Sequence, residues 1–122
     1  MIVAGFGFRQ AASVDSLLDA LDRACGPLPP ALLATAEDKA TAPAFQALSL
    51  RLNLPIHAVA LDALAATETP TRSAKVRALR GSGSVAEAAA LVAAGPGASL
   101  LGTRAVSADR MATCALATRI LP

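Results

Sequence analysis

Met1-Ile2-Val3-Ala4-Gly5-Phe6-Gly7-Phe8-Arg9 opens the chain as an apolar run that breaks into two glycines and ends on an arginine. Met1 to Phe6 reads as a short buried strand, and Gly5-Phe6-Gly7-Phe8-Arg9 is expected to form a glycine-bearing loop at its exit. A helix follows. Ser13 caps it, Asp15 and Ser16 fill its first turn, and Val14, Leu17, Leu18 and Leu21 recur at helical spacing as far as about Cys25. Gly26-Pro27 stops that helix, and Pro29-Pro30 stiffens the connection. The same succession then repeats. Ala31 to Thr35 is a second strand, ending in Thr35-Ala36-Glu37-Asp38-Lys39. Pro43, Phe45, Leu48 and Leu52 mark a second amphipathic helix that Asn53 ends. Ile56 to Ala60 is a third strand, followed by a short helix from Asp62 to about Ala66. Strand, helix, strand, helix, strand is the rhythm of a parallel α/β sheet.

The rest of the chain changes character. Thr69-Pro70-Thr71 makes a turn, Ser73 to Arg80 reads as a basic helix, and Gly81-Ser82-Gly83 is a second glycine loop. Ser84 opens a capping box with Glu87, and the helix it starts is almost pure alanine and leucine to Ala94. Such a helix has little polar face to offer water, so it is expected to be buried on most sides. Gly95-Pro96-Gly97 ends it. Ser99 to Arg104 and Met111 to Leu121 are expected as two last strands, with a polar turn around Ser107-Ala108-Asp109-Arg110. The expectation is one α/β domain over residues 1–122, a mostly parallel sheet flanked by helices with a final antiparallel-type strand pair.

Composition removes several classes of function. The 122 residues are 54% hydrophobic, which suits one globular core. Trp and Tyr are absent and only three Phe occur, too few to stack the bases of a single strand. Net charge is +2, so no basic field draws a duplex, and nucleic acid is not an expected partner. Charged or Pro residues interrupt every apolar stretch before 18 residues, and the N-terminus has no basic-then-apolar leader pattern. A soluble cytoplasmic protein without membrane contact is expected. Cys25, Cys114 and His57 have no metal-ligand spacing, so neither a metal nor a cofactor is expected, and both thiols should be reduced. His57 lies inside an apolar run, where a structural histidine is the expected role.

Three polar clusters fall at strand exits or helix entries, where an open parallel sheet binds its ligands. In the first, Gly5 and Gly7 let a backbone approach closely and Arg9 can pair bidentately with a carboxylate or phosphate. A tight strand-to-helix turn explains the glycines equally well. In the second, Thr35, Glu37 and Lys39 gather a hydroxyl, a carboxylate and an ammonium, with Glu37 the candidate general base. Solvated surface charge is the competing explanation there. The third holds Thr69 and Arg72, with Lys75, Arg77, Arg80 and the Ser82 loop behind them, a set that suits an anion or a solvated helix face.

In this order the segments resemble the small CobE proteins of cobalamin biosynthesis and the C-terminal domain of the CbiG proteins. The likeness is carried by Val3-Ala4-Gly5-Phe6-Gly7-Phe8-Arg9, Thr35-Ala36-Glu37-Asp38-Lys39, Thr69-Pro70 and Ser84-Val85-Ala86-Glu87-Ala88-Ala89-Ala90. It spans nearly the whole chain. Two positions depart from the family's pattern: Phe8 stands where a Cys is often found, and Thr103-Arg104 where a Lys is usual. Phe8 removes a nucleophile from the first cluster, and Arg104 keeps a charge without the chemistry of an amine. The resemblance implies a corrinoid ligand, since CbiG proteins open a lactone on a cobalt-precorrin and release a two-carbon fragment as acetaldehyde. The chain resembles only their C-terminal part. A carrier of, or accessory for, a corrin-ring (precorrin) intermediate is therefore the first expectation. A hydrolase-like enzyme working through Glu37, and a docking module for pathway enzymes, are the alternatives.

Overall fold

The computed structural model describes residues 2–24, 29–66, 85–102 and 104–119. Among these described residues six strands, β1 (Ile2–Phe8), β2 (Leu32–Ala36), β3 (Ile56–Val59), β4 (Ala98–Leu100), β5 (Ala105–Val106) and β6 (Ala112–Arg119), form one sheet. The described helices are α1 (Val14–Ala24), α2 (Pro43–Leu52), α3 (Leu61–Ala66) and α4 (Val85–Ala94). The strand order is β3-β2-β1-β6-β4, with β5 also paired to β6.

Strands β1, β2 and β3 run parallel, as the alternation of strand and helix requires. The sheet is nevertheless mixed rather than mostly parallel. The last strand, β6, inserts beside β1 and runs antiparallel to it from Ile2↔Thr118 to Phe8↔Ala112. Strands β4 and β5 pair antiparallel to the other side of β6. Hydrophobic patterning tells which segments are strands and leaves open where a late strand inserts. Among the described residues of the expected strand from Ser99 to Arg104, only Ser99 and Leu100 are strand, in β4; Leu101, Gly102 and Arg104 lie outside it, and β5 begins at Ala105.

Pairing with β6 also corrects the reading of the first glycine segment. Hydrogen bonding across the whole of Ile2 to Phe8 holds Gly5, Phe6, Gly7 and Phe8 in the strand, so the loop begins only at Arg9. Period-two alternation then divides β1 between two layers. Ile2, Ala4 and Phe6 pack with Leu17, Ala20, Phe45 and Leu48 of α1 and α2 on one face. Val3 packs with Leu64 of α3 and Ala88, Ala89, Ala90 and Ala94 of α4 on the other. Phe6, Phe45, Leu17, Leu33 and Leu48 are fully buried, each contributing roughly 1.5–3 kcal/mol of transfer free energy.

The alanine richness of α4 has a specific reason. A β-carbon on Gly5 would sit 2.2 Å from the Ala86 carbonyl oxygen, 2.5 Å from the Ala90 amide nitrogen and 2.8 Å from the Ala90 Cβ. Glycine on the strand and alanine at i and i+4 on the helix therefore let two backbones touch. The close approach that Gly5 permits is made by a helix.

Local signals place the helix ends. Ser13 and Ser16 cap α1 reciprocally, each side-chain oxygen accepting from the other residue's amide at 3.2 Å. Pro43 occupies the first turn of α2, and Asn53 closes that helix in the left-handed region at φ 55. His57 is not the enclosed residue its apolar neighbours suggest. It is exposed, because β3 is an edge strand. No described helix is long and apolar enough to cross a membrane.

Candidate functional site

The C-terminal ends of the three parallel strands bring two of the expected clusters to one edge. Strands β1 and β2 are neighbours in the register Phe6↔Thr35, so their exits, Phe8-Arg9 and Glu37-Asp38-Lys39, lie side by side. The Glu37 amide donates to the Val59 carbonyl at 2.9 Å, tying this edge to β3. The Lys39 amide donates to the Ala36 carbonyl at 2.9 Å, and the resulting turn carries the lysine back over β1.

An aromatic stack supports the edge. Phe45 of α2 meets Phe6 edge-on at 5.5 Å between centroids and stacks on Phe8 at 5.6 Å and 14°. Phe6 and Phe45 are fully buried, whereas Phe8 is half-buried. The Lys39 ammonium stands 5.4 Å from the Phe8 ring centre, a cation–π contact. The result is an apolar ledge of stacked rings with the Lys39 ammonium over its outer ring. The side chains of Arg9 and Glu37 are exposed beside it.

The residues singled out in the sequence separate in the structure. Arg9, Glu37 and Lys39 share the open edge. Thr35 is fully buried, and its hydroxyl donates to the Phe6 carbonyl at 2.9 Å, bracing β1 against β2. Gly5 lies under α4, as described above. Gly7 is nearer the edge, where a β-carbon would lie 3.0 Å from Thr113 Oγ1 and 3.4 Å from Val85 Cβ. Thr69, Arg72 and Ser82 lie outside the described residues, as does Cys25. Cys114 is enclosed in the core, and burial pushes its thiol far above the usual range, so it is no nucleophile.

A second polar group at the same edge was not legible from spacing, because its members are distant in sequence. Asp109, in the turn between β5 and β6, accepts from Ser16 Oγ at 2.6 Å, Ser107 Oγ at 2.5 Å and the Met111 amide at 3.1 Å. Asp19 accepts from the Ala108 amide at 2.7 Å and from Arg23 Nε at 3.0 Å. These bonds lock the turn onto α1. The hydroxyls of Ser107 and Ser16, followed by the Met111 amide, hold the Asp109 carboxyl below its ordinary value of 3.8. The Ala108 amide, then Arg23, does the same for Asp19.

A carboxyl depressed in the folded state contributes stability that is complete above its unfolded value and is lost as pH falls through the folded one. The thermal midpoint of the wild type is therefore expected to fall as pH drops below the ordinary carboxyl value of 3.8. Asp109→Asn should be less stable at neutral pH and flatter across that acid window. Parallel curves for the two proteins from pH 6 to pH 3 would show that the turn does not depend on the charge.

The comparisons with known proteins agree with one another. The model of the family described as Cobalamin synthesis G C-terminus matches residues 2–117. The structure of CobE, a protein from the cobalamin (vitamin B12) biosynthetic pathway, is similar at TM-score 0.85 and 33% identity, covering 99% of this chain and 91% of that one. The cobalamin biosynthesis protein chiG from Agrobacterium tumefaciens is similar at TM-score 0.76 and 35% identity, with 98% of each chain covered. A cobalamin biosynthesis protein G homolog from Sulfolobus solfataricus shares the fold at TM-score 0.70 and 21% identity, over 98% of this chain but only 37% of that one. No curated protein gives a significant match. A family match across nearly the whole chain, joined to two similar structures at one-third identity, makes this chain a member of the Cobalamin synthesis G C-terminus family, the CobE/CbiG group of cobalamin-biosynthesis proteins.

Proposed function

We propose that this chain binds a corrin-ring (precorrin) intermediate at the C-terminal edge of β1 and β2, and serves as its carrier or as an accessory to the enzyme that uses it. The observation that carries this reading is the Phe8 ledge, stacked on Phe45, with Lys39 fixed over it and Arg9 exposed at the adjoining strand exit. A precorrin is an apolar macrocycle fringed with acetate and propionate carboxylates. Its ring needs an apolar support, and its rim needs cations within reach. The sequence adds Arg72, Lys75, Arg77 and Arg80 between α3 and α4, which supports an anionic ligand further.

Spectroscopic titration with hydrogenobyrinic acid and a panel of precorrins tests the reading. Arg9→Ala and Lys39→Ala should each weaken binding roughly fivefold to tenfold, as expected for one charge-assisted contact at a partly solvated site. Absence of binding to every member of the panel by the wild type would overturn it. Glu37 is an exposed carboxylate at the same edge, which keeps a hydrolase-like role open. Turnover of any precorrin that Glu37→Gln abolishes while binding persists would replace the carrier by the enzyme.

A further inference from the structure

The turn that joins β5 to β6 carries a residue its geometry does not favour. The Ser107 amide donates to the Ala112 carbonyl and the Arg110 amide to the Ser107 carbonyl, both at 2.9 Å, closing a short hairpin loop. Such a loop ends on a residue in the left-handed region, the position that glycine fills at least cost. Here it is filled by Arg110, at φ 60. A long side chain in that conformation persists only where its surroundings fix the backbone, and here they do. Asp109 is held by Ser107, Ser16 and the Met111 amide, while the Ala108 amide is held by Asp19.

None of those bonds uses the Arg110 side chain. The guanidinium is exposed, and among the described residues the ion pair present is Arg23 with Asp19. The carboxylates that hold this turn are committed elsewhere, Asp109 to hydroxyls and an amide, Asp19 to Arg23 and an amide. Packing and charge neutralisation therefore give no reason for an arginine at this position. Its location does. The Arg9 amide donates to the Met111 carbonyl at 2.8 Å, so the residue next to Met111 belongs to the edge that holds Arg9. Two exposed guanidinium side chains thus start from adjoining loops at the exit of β1, with the Lys39 ammonium over Phe8 on the β2 side.

We propose that Arg110, carried by this locked turn beside Arg9, is a second carboxylate-pairing residue of the corrinoid site. The inference rests on the binding reading above and extends it. Arginine suits the task because its planar fork stays charged and meets a carboxylate with two hydrogen bonds. Fixing the backbone while leaving the side chain free lets the guanidinium follow a flexible acetate or propionate arm.

Arg110→Gly separates the ligand role from a structural one, because the two roles move its readouts in opposite directions. Glycine relieves the left-handed backbone, so the thermal midpoint should rise. Binding of cobyrinic acid, whose rim carboxylates are free, should weaken roughly fivefold, as for the loss of one charged contact. Its salt dependence should become shallower. Cobinamide, whose rim is amidated, should bind the wild type and the variant alike. Arg110→Gln should weaken cobyrinic acid to the same extent without the rise in midpoint. A stabilised Arg110→Gly with unchanged affinity for cobyrinic acid would overturn the inference while leaving the corrinoid reading intact. A lower midpoint would overturn its premise. If the wild type binds neither corrinoid, the reading fails and the inference falls with it.

Discussion

Gly5→Ala is expected to destabilise the domain by about 2–3 kcal/mol, and Gly5→Val by more, because the added carbon meets backbone rather than movable side chain. The Ala86 carbonyl oxygen and Ala90 amide nitrogen lie 2.2 and 2.5 Å from the position it would take. Relief requires α4 to lift from the sheet, and that helix packs the whole second core layer of Val3, Ala34, Ala36, Val59 and Ala117. A loss of this size is a large share of the stability of an ordinary domain. Gly102 is the control, since nothing lies within 4 Å of a β-carbon there and Gly102→Ala should change stability by less than about 0.5 kcal/mol. Urea denaturation of the wild type and the three variants measures both effects. Equal midpoints for Gly5→Ala and wild type would contradict the backbone contact between β1 and α4.

Phe45→Ala should cost about 3–5 kcal/mol, the range for truncating a fully buried aromatic. It also removes both ring contacts at once, the edge-on one to Phe6 and the stacked one to Phe8. Phe8 is only half-buried, so without its support the ring is free to leave the position under Lys39. Stability and ligand affinity are thus expected to fall together in Phe45→Ala. Lys39→Ala should reduce affinity with little change in denaturation midpoint. A Phe45→Ala protein that unfolds earlier yet binds a corrinoid with wild-type affinity would remove the ledge from the site.

How much of this the sequence already held depends on the range of the interaction. The parallel half is local, since strand, helix and turn residues follow one another from Ile2 to Leu64 and each boundary has its own signal, such as Ser13, Pro43 or Asn53. The insertion of β6 beside β1 is set by pairing across more than a hundred residues, which no periodicity reports. The same limit hid the meaning of Gly5 and Gly7. Glycine spacing at a strand exit suits a ligand loop and a helix contact alike, and only the position of α4 decides between them for Gly5. That Arg9, Glu37 and Lys39 share one edge was legible because strand exits of a parallel sheet converge. Thr35 was legible as a polar residue at that edge, while its bond to Phe6 follows from the register of two strands. The bonds of Asp109 to Ser16 and Ser107 depend on where the last hairpin docks, which the turn residues do not encode.

Amide chemical-shift mapping during titration with hydrogenobyrinic acid tests most directly whether the ligand sits at the exit edge of β1 and β2. Saturable shifts are expected at Phe8, Arg9, Glu37, Asp38, Lys39 and Met111, with little change at Asn53, Gly95 or Arg119 at the opposite end of the sheet. Shifts confined to that opposite end, or to the exposed edge strand around His57, would contradict it.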